Sequence, residues 1–293
     1  MSNSPSSQET PSMGREKAFP VLLSRRGFAR FATIGGPLSL ALIFIMLPSG
    51  AFLPPISPNH SPGQVVDHYR RHETGLKGGI ALIQFIGLFF MLYTAAVGGQ
   101  ISQIPGVSKT VVYSQLLGGC VGGIFLTIPS YFFATTLYRL DRTPELTELL
   151  NDMSWIFFAM PFSGLLCQDL AFSYAVLLDR RPRPLFPRWL AWVSTGLTLS
   201  FYPAIGVNCV HSGVVAWNGV LTFWTAGVCI GAQICLTSLY TWKAISRTDL
   251  PGDEEVVSGE EREMWMSRVE VEELVERLVQ GAGVASHPER DSK

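Results

Sequence analysis

The sequence predicts an all-α protein, a polytopic membrane bundle of about six transmembrane helices with both termini cytoplasmic, on three observations. The 293 residues are 47% hydrophobic and only 15% charged, with a mean hydropathy of +0.27. That is too apolar for an ordinary soluble domain. Charged residues fall almost wholly before Arg30, in short loops and after Trp242, and the loop cations favour alternate loops.

A spanning helix needs roughly 20 mostly apolar residues to cross about 30 Å of hydrocarbon. Six intervals meet that length: Phe31 to Leu53, Gly78 to Gln100, Val111 to Tyr138, Met153 to Leu178, Trp189 to Val210 and Val214 to Trp242. The first is too long for a removable leader and lacks its small-residue cleavage pattern, so it is expected to remain as a span. Before it, residues 1–30 are Ser- and Pro-rich and then basic, and are expected to be a disordered cytoplasmic tail.

Arg15, Lys17, Arg25, Arg26 and Arg30 precede the first span, and "DRRPRPLFPR" adds four arginines between the fourth and fifth. With Lys109, Lys243 and Arg247 that side carries twelve cations. The other carries five: Arg70, Arg71, Lys77, Arg139 and Arg142. The bias sets both ends inside.

On the outer side, a short polar helix is expected around Val65 to His72, and Thr143 stands where it would cap a helix starting at Pro144. After Pro251 the chain turns acidic. Trp265, Val269, Val275 and Leu278 share one face of a possible amphipathic helix in a cytoplasmic appendage spanning 246–293. In the third span "GGCVGG" sets Gly118 and Gly119 four residues before Gly122 and Gly123, a spacing for close helix approach.

Asp169 is the only Asp, Glu, Lys or Arg in any of the six intervals. An acid at membrane depth faces the bundle interior and marks a functional or paired group. No intramembrane cation is there to pair it, so removal from water favours the neutral acid, a proton donor. Helical spacing places Phe162, Leu165, Phe172, Ser173 and Val176 on or beside its face, and Pro161 is positioned to kink the helix above it. The plainer reading is a hydrogen bond to a neighbouring helix through Gln84, Gln100, Asn208, Asn218, Gln233 or a hydroxyl.

Other candidates gather in the outer loops. Glu73 stands at the membrane edge of the second span, and His211, in the turn "NCVHSG", is placed to act as a base. Tyr202, Trp224 and Asn218 are expected to line the same region, although aromatics near span ends are also common interfacial belt residues. His68 and His72, four apart, are too few for a membrane di-metal centre. No metal and no cofactor are expected.

The five cysteines lie in or beside spans and read as small apolar fillers. A net charge of −1 gives no electrostatic footing for nucleic acid. Motifs for magnesium-assisted diphosphate ionisation, DDxxD and NDxxDxxxD, do not occur, nor do DxDD, a Walker loop, GxSxG or CxxC.

Four stretches, "SPGQVVDHYRRHETG", "TPELTELLNDMSWIFFAMPFSGLLCQDLA", "RPRPLFPRWLAW" and "AWNGVLTFW", spread over most of residues 31–245, give a pattern that resembles the fungal membrane-bound terpene cyclases of meroterpenoid biosynthesis, of the macrophorin and ascofuranone type. Six-span membrane proteins of actinobacteria are similar in the same way. The resemblance implies cyclisation of a farnesylated precursor, started by protonating an alkene or an epoxide, in the endoplasmic reticulum membrane. The partners are then a lipophilic prenylated substrate and the lipid bilayer.

Such chemistry asks for a neutral carboxylic acid, a water-poor pocket and aromatic faces that stabilise a travelling cation. Asp169 or Glu73 would supply the acid, Phe162, Phe172, Tyr202 and Trp224 the walls, and His211 the terminal base. At about 1.5 Å per residue the two acids are some 20 Å apart, so they are not expected to share one relay. The competing classes are a carrier of a lipophilic metabolite and a non-catalytic membrane protein.

Overall fold

The structure is a computed structural model, and it describes residues 24–160 and 162–247, apart from the side chains of Arg25 and Phe162. The predicted amphipathic helix around Trp265 to Leu278 and the tail before Ser24 lie outside the described residues, as does Pro161.

Among the described residues the structure is helical, with no strand. Nine α-helices follow in order: α1 (Arg25–Ser49), α2 (Pro62–Arg71), α3 (Glu73–Ile83), α4 (Ile86–Ile101), α5 (Lys109–Tyr138), α6 (Pro144–Ala159), α7 (Phe162–Leu178), α8 (Arg188–Leu199) and α9 (Ala226–Ile245). Six stretches are long and apolar enough to cross a membrane: Arg26–Ser49, Glu73–Ile101, Lys109–Tyr138, Pro144–Leu178, Arg188–Cys209 and Val220–Ile245. Leu88, Leu117, Ile124, Leu170, Trp192 and Val228 point away from the protein on five of these spans. An apolar exterior is at home in lipid and would be a liability in water.

Several spans differ from the intervals read in the sequence. The first begins at Arg25, inside the expected disordered tail, because the Ser24 hydroxyl caps it by accepting the Gly27 N–H at 2.9 Å. The fourth is two helices: α6 stops at Ala159 and α7 starts at Phe162. The fifth, read as one helix to Val210, is α-helical only to Leu199 and continues as a 3₁₀ helix over Tyr202–Cys209, where Pro203 removes a helical donor. The sixth starts at Val220 with one π turn, not at Val214. Residues before it form a loop that Gly213 turns at φ +87°.

Consecutive spans pack side by side, α1 on α3 and α4, these on α5, α5 on α6 and α7, α7 on α8 and α8 on α9, and α9 returns to α1, closing a ring. Short connections between antiparallel helices favour this sequential order. α4 leans inward and also touches α7 and α9. It fills most of the ring's axis, and Phe90, Tyr93, Thr94 and Val97 are buried there.

One close joint is between α5 and α7. A Cβ at Gly118 would stand 2.5 Å from the Gln168 N and 2.8 Å from the Gly164 O, and one at Gly164 3.0 Å from both Gly118 O and Gly122 N. Backbone meets backbone, so no flexible side chain is there to move aside. At the end of α7, Asp179 is buried and accepts from Arg181 Nε at 2.9 Å, Arg181 Nη2 at 2.6 Å and the Leu185 N–H at 2.8 Å. Burial opposes its charge, but the Arg181 guanidinium and the two backbone N–H groups outweigh it and hold the carboxyl below its ordinary range.

Gly118→Ala is expected to destabilise the bundle by about 1–3 kcal/mol through overpacking at this joint. Gly99→Ala, whose Cβ meets nothing within 4 Å, is expected to leave thermal stability in detergent within experimental error of the wild type.

Candidate functional site

Asp169 sits near the axis of the ring and is 2% exposed. The fold brings it there because α7 turns Leu165, Phe172, Ser173 and Val176 inward with it, and all four are buried, as helical spacing requires. Two neighbouring helices hold the carboxyl. The Ser194 hydroxyl of α8 and the Gln233 Nε2 of α9 both donate to Oδ1, the amide at 2.9 Å, and Gln233 Nε2 also reaches Ser194 Oγ at 3.3 Å. One acid thereby ties three spans together.

The second oxygen, Oδ2, is buried and makes no hydrogen bond of acceptable geometry. Thr195 and Thr198 stand near enough to act on the carboxyl, while Thr195 itself donates to Ser173 Oγ at 3.0 Å and Thr198 Oγ1 is buried without a partner. A carboxyl with two well-aligned donors on one oxygen, and only the nearby Thr195 and Thr198 hydroxyls left for the other, is asymmetric. The first oxygen is fixed as an acceptor, and a proton carried by the group belongs on the second.

Beside the acid lies a cavity of about 20 Å³, lined among others by Phe90, Tyr93, Phe172, Gln168, Gln233 and Thr237. That is room for one water molecule. The second shell is polar on one side: Gln168 Nε2 donates to Thr94 Oγ1 at 3.1 Å, and Gln115 Nε2 to the Thr94 carbonyl at 3.3 Å.

The residues singled out in the sequence do not converge. Asp169 and Phe172 share the cavity, and Phe172 stacks edge-on to Phe186 with ring centroids 5.2 Å apart. Glu73 opens α3 at the opposite end of the ring and is taken by Lys77 at 2.6 Å, in an exposed pair. His211 is exposed in the 210–219 loop and interacts with Asp152 of α6. Asn218 is half-buried on the same loop. Tyr202 and Trp224 are 59% and 45% exposed and are not among the residues lining the cavity beside Asp169. The 3₁₀ segment and the π turn point them outward. The side chain of Phe162 lies outside the described residues.

Gln233 was among the amides expected to reach Asp169, whereas Phe90, Tyr93, Gln115 and Gln168 were missed because they carry no charge and sit in spans read as plain apolar. Their signal was the helical spacing of Phe90, Tyr93 and Val97 along α4, which places them on one face. Also missed is an aromatic cap at the Glu73 end, where Phe52 lies 5.1 Å from Trp155, 5.3 Å from Phe133 and 5.3 Å from His68, centroid to centroid. The Tyr69 hydroxyl donates to Asn151 Oδ1 at 3.0 Å, and burial pushes that phenol above its ordinary range, so it stays a neutral donor. Trp217 Nε1 fastens the last loop to the first by donating to Ile56 O at 2.7 Å.

His68 stacks nearly parallel to Phe52 and its Nε2 donates to Gly50 O at 2.9 Å. Burial pulls this imidazole down from its ordinary 6.5. The Gly50 bond pushes back, and His72, His60 and Arg71 add to the lowering. The pairing of His68 with His72 is therefore part of a packed cap.

No family model matches the chain, and no curated protein or solved structure is detectably similar to it.

Because His68 is held below 6.5, the unfolded chain binds the proton first, and stability contributed by the neutral ring declines as pH falls below that value. Melting temperatures in detergent between about pH 7 and pH 5 are expected to drop more steeply for the wild type than for His68→Phe. Parallel curves would contradict this assignment.

Proposed function

We propose that this chain is a membrane-embedded enzyme acting on a lipophilic prenylated substrate, a metal-independent terpene cyclase in which Asp169 is the initiating acid. The observation that carries the reading is the asymmetric carboxyl: Oδ1 pinned by Ser194 and Gln233, Oδ2 buried with no well-aligned donor and only the Thr195 and Thr198 hydroxyls near the group, and Phe90, Tyr93 and Phe172 around the adjoining hollow. The resemblance of the sequence pattern to the fungal meroterpenoid cyclases supports the same reading.

In this mechanism the Asp169 O–H gives its proton to a terminal alkene carbon or an epoxide oxygen, and the electron pair of the broken bond stays on the carboxylate. The cation so formed moves through the chain as rings close, stabilised by aromatic faces in a site without bulk water. Loss of a final proton ends the sequence, so substrate and product are isomers. His211, at the far mouth of the ring, is out of reach of a cation formed beside Asp169. Glu73, already paired to Lys77, takes no part. The basic loops orient both termini to the cytoplasm, and the membrane is that of the endoplasmic reticulum in this reading.

One observation favours a second class. A hollow of about 20 Å³ holds a water molecule, whereas a site that encloses a small molecule is commonly 300–1,000 Å³. A cyclase must open α4 away from α7 and α9 to admit its substrate. A carrier of a lipophilic metabolite, closed around a protonatable group, would show the same tight axis.

Microsomes from a heterologous host, given a farnesylated phenol or its epoxide, separate the two. The cyclase reading expects a cyclic isomer by mass spectrometry without added metal or nucleotide, and a loss of at least about 100-fold in Asp169→Asn, the scale of a missing general acid. Glu73→Gln is expected to retain the product. Movement of intact compound across the membrane with no isomer would replace the cyclase by the carrier, and neither outcome would refute both.

A further inference from the structure

Buried polar groups are distributed unevenly about Asp169. One end of the ring gathers the start of α1, the end of α4, the starts of α5 and α8 and the ends of α7 and α9: Trp189 meets Tyr240 at 5.5 Å between centroids, Arg30 lies over Trp242 at 5.8 Å, and Gly106 approaches Leu178. Between that end and Asp169, Gln100 Oε1, Gln115 Oε1, Ser238 Oγ and Thr241 Oγ1 are all buried without a hydrogen-bond partner, and Thr198 Oγ1, close to the Asp169 carboxyl, ends the series. Every one of these residues is at least nine-tenths covered by protein.

Their depths form a staircase. At about 1.5 Å per residue, Gln100 lies at the very end of α4, Thr241 about 6 Å in along α9, Gln115 about 9 Å along α5, Ser238 about 10 Å, and Asp169 about 14 Å from the end of α7. The Tyr93 hydroxyl, against Thr237, bridges toward the acid, and Tyr93, Thr237 and Gln115 all border the cavity beside it.

Beyond Asp169 the character changes. Phe90, Leu165 and Ile230 border the cavity there. The Ser130 and Thr136 hydroxyls donate to carbonyls of their own helix, Thr127 O and Phe132 O, and Thr222 donates to Val215 O. Three unpartnered groups among the described residues also lie on this side, Thr147 Oγ1 and Trp155 Nε1 of α6 and His60 Nδ1 of the first loop, and none of them borders the cavity beside Asp169.

Unpaired polar groups in a packed membrane interior are costly unless they serve a pathway or are reached by water. A carboxyl used as a proton donor must also regain its proton. We infer that Gln100, Thr241, Ser238, Gln115 and Tyr93 form a one-sided proton path, by which Asp169 exchanges its proton with water only at the end of the ring where α4 and α9 stop. The inference rests on the reading of Asp169 as a protonatable group and is independent of which substrate it serves. In each exchange a proton from water binds Asp169 Oδ2 as the carboxylate accepts it, and the reverse step returns it along the same groups.

Infrared spectroscopy on the full chain in lipid nanodiscs tests this without substrate. The carbonyl stretch of a protonated carboxyl, assigned by its loss in Asp169→Asn, is followed after transfer to heavy water. The wild type is expected to exchange fully within the first measurement. Gln115→Leu and Thr241→Val are each expected to slow exchange by at least about tenfold, the rate equivalent of one hydrogen bond in the path. Thr241→Ser, which keeps the hydroxyl, is expected to exchange as the wild type does, and so is Ser130→Ala on the far side, whose hydroxyl bonds only its own helix. Melting curves verify that each variant is folded.

Absence of an Asp169 carboxyl band, unchanged exchange in both Gln115→Leu and Thr241→Val, or equal slowing in Ser130→Ala would each overturn the path. A normal exchange pattern with no cyclic product in microsomes would leave the path standing and remove the cyclase.

Discussion

The structure turns on one buried carboxyl and the two donors that hold it. An acid taken out of water has to find compensation within the protein, and in a membrane the surrounding lipid offers none. Asp169 finds it in Ser194 of α8 and Gln233 of α9. These bonds fix the rotation of three helices about their axes, because a turn of any one would carry its polar group toward lipid. The closed ring and the inward lean of α4 follow from keeping that group covered.

Outside this polar centre the bundle is held mostly by packing, with a few hydrogen bonds between elements such as Tyr69 to Asn151 and Trp217 to Ile56. Lipid tails are as apolar as leucine, so helices associate through close contact instead of escape from water. The approach of Gly118 and Gly164 lets α5 and α7 meet backbone to backbone. At the far end the aromatic cap of Phe52, Phe133 and Trp155 replaces helix contact with ring contact. Aromatic contacts close both ends of the bundle, with Trp189 against Tyr240 and Arg30 over Trp242 at the end away from the cap.

Hydropathy alone made the helical class and the number of spans legible, because a run without charge longer than a bilayer has few alternatives. Asp169 was legible for the same reason, as the one charge that broke such a run. Its partners were only half legible: Gln233 was one of several amides able to reach it, and no periodicity singles out a serine such as Ser194. The exposed placement of Tyr202 and Trp224 was not legible, because helices five and six were read as continuous where the structure has a 3₁₀ segment and a π turn, while His211 stands in the turn where the sequence put it. The break between α6 and α7 had a visible cause in Pro161. What no local pattern revealed was the tertiary closure of α9 on α1, which decides which residues face the axis.

The central claim, that Asp169 is clamped between α8 and α9 at the ring's axis, is tested most directly by a double-mutant cycle. Unfolding free energies of the wild type, Asp169→Ala, Gln233→Ala and the double variant, measured in bilayers, give the coupling between the two side chains. The account predicts a favourable coupling of about 0.6–1.7 kcal/mol, the range of interhelical hydrogen bonds in membranes. A coupling indistinguishable from zero would mean that the two side chains do not meet, and would contradict it.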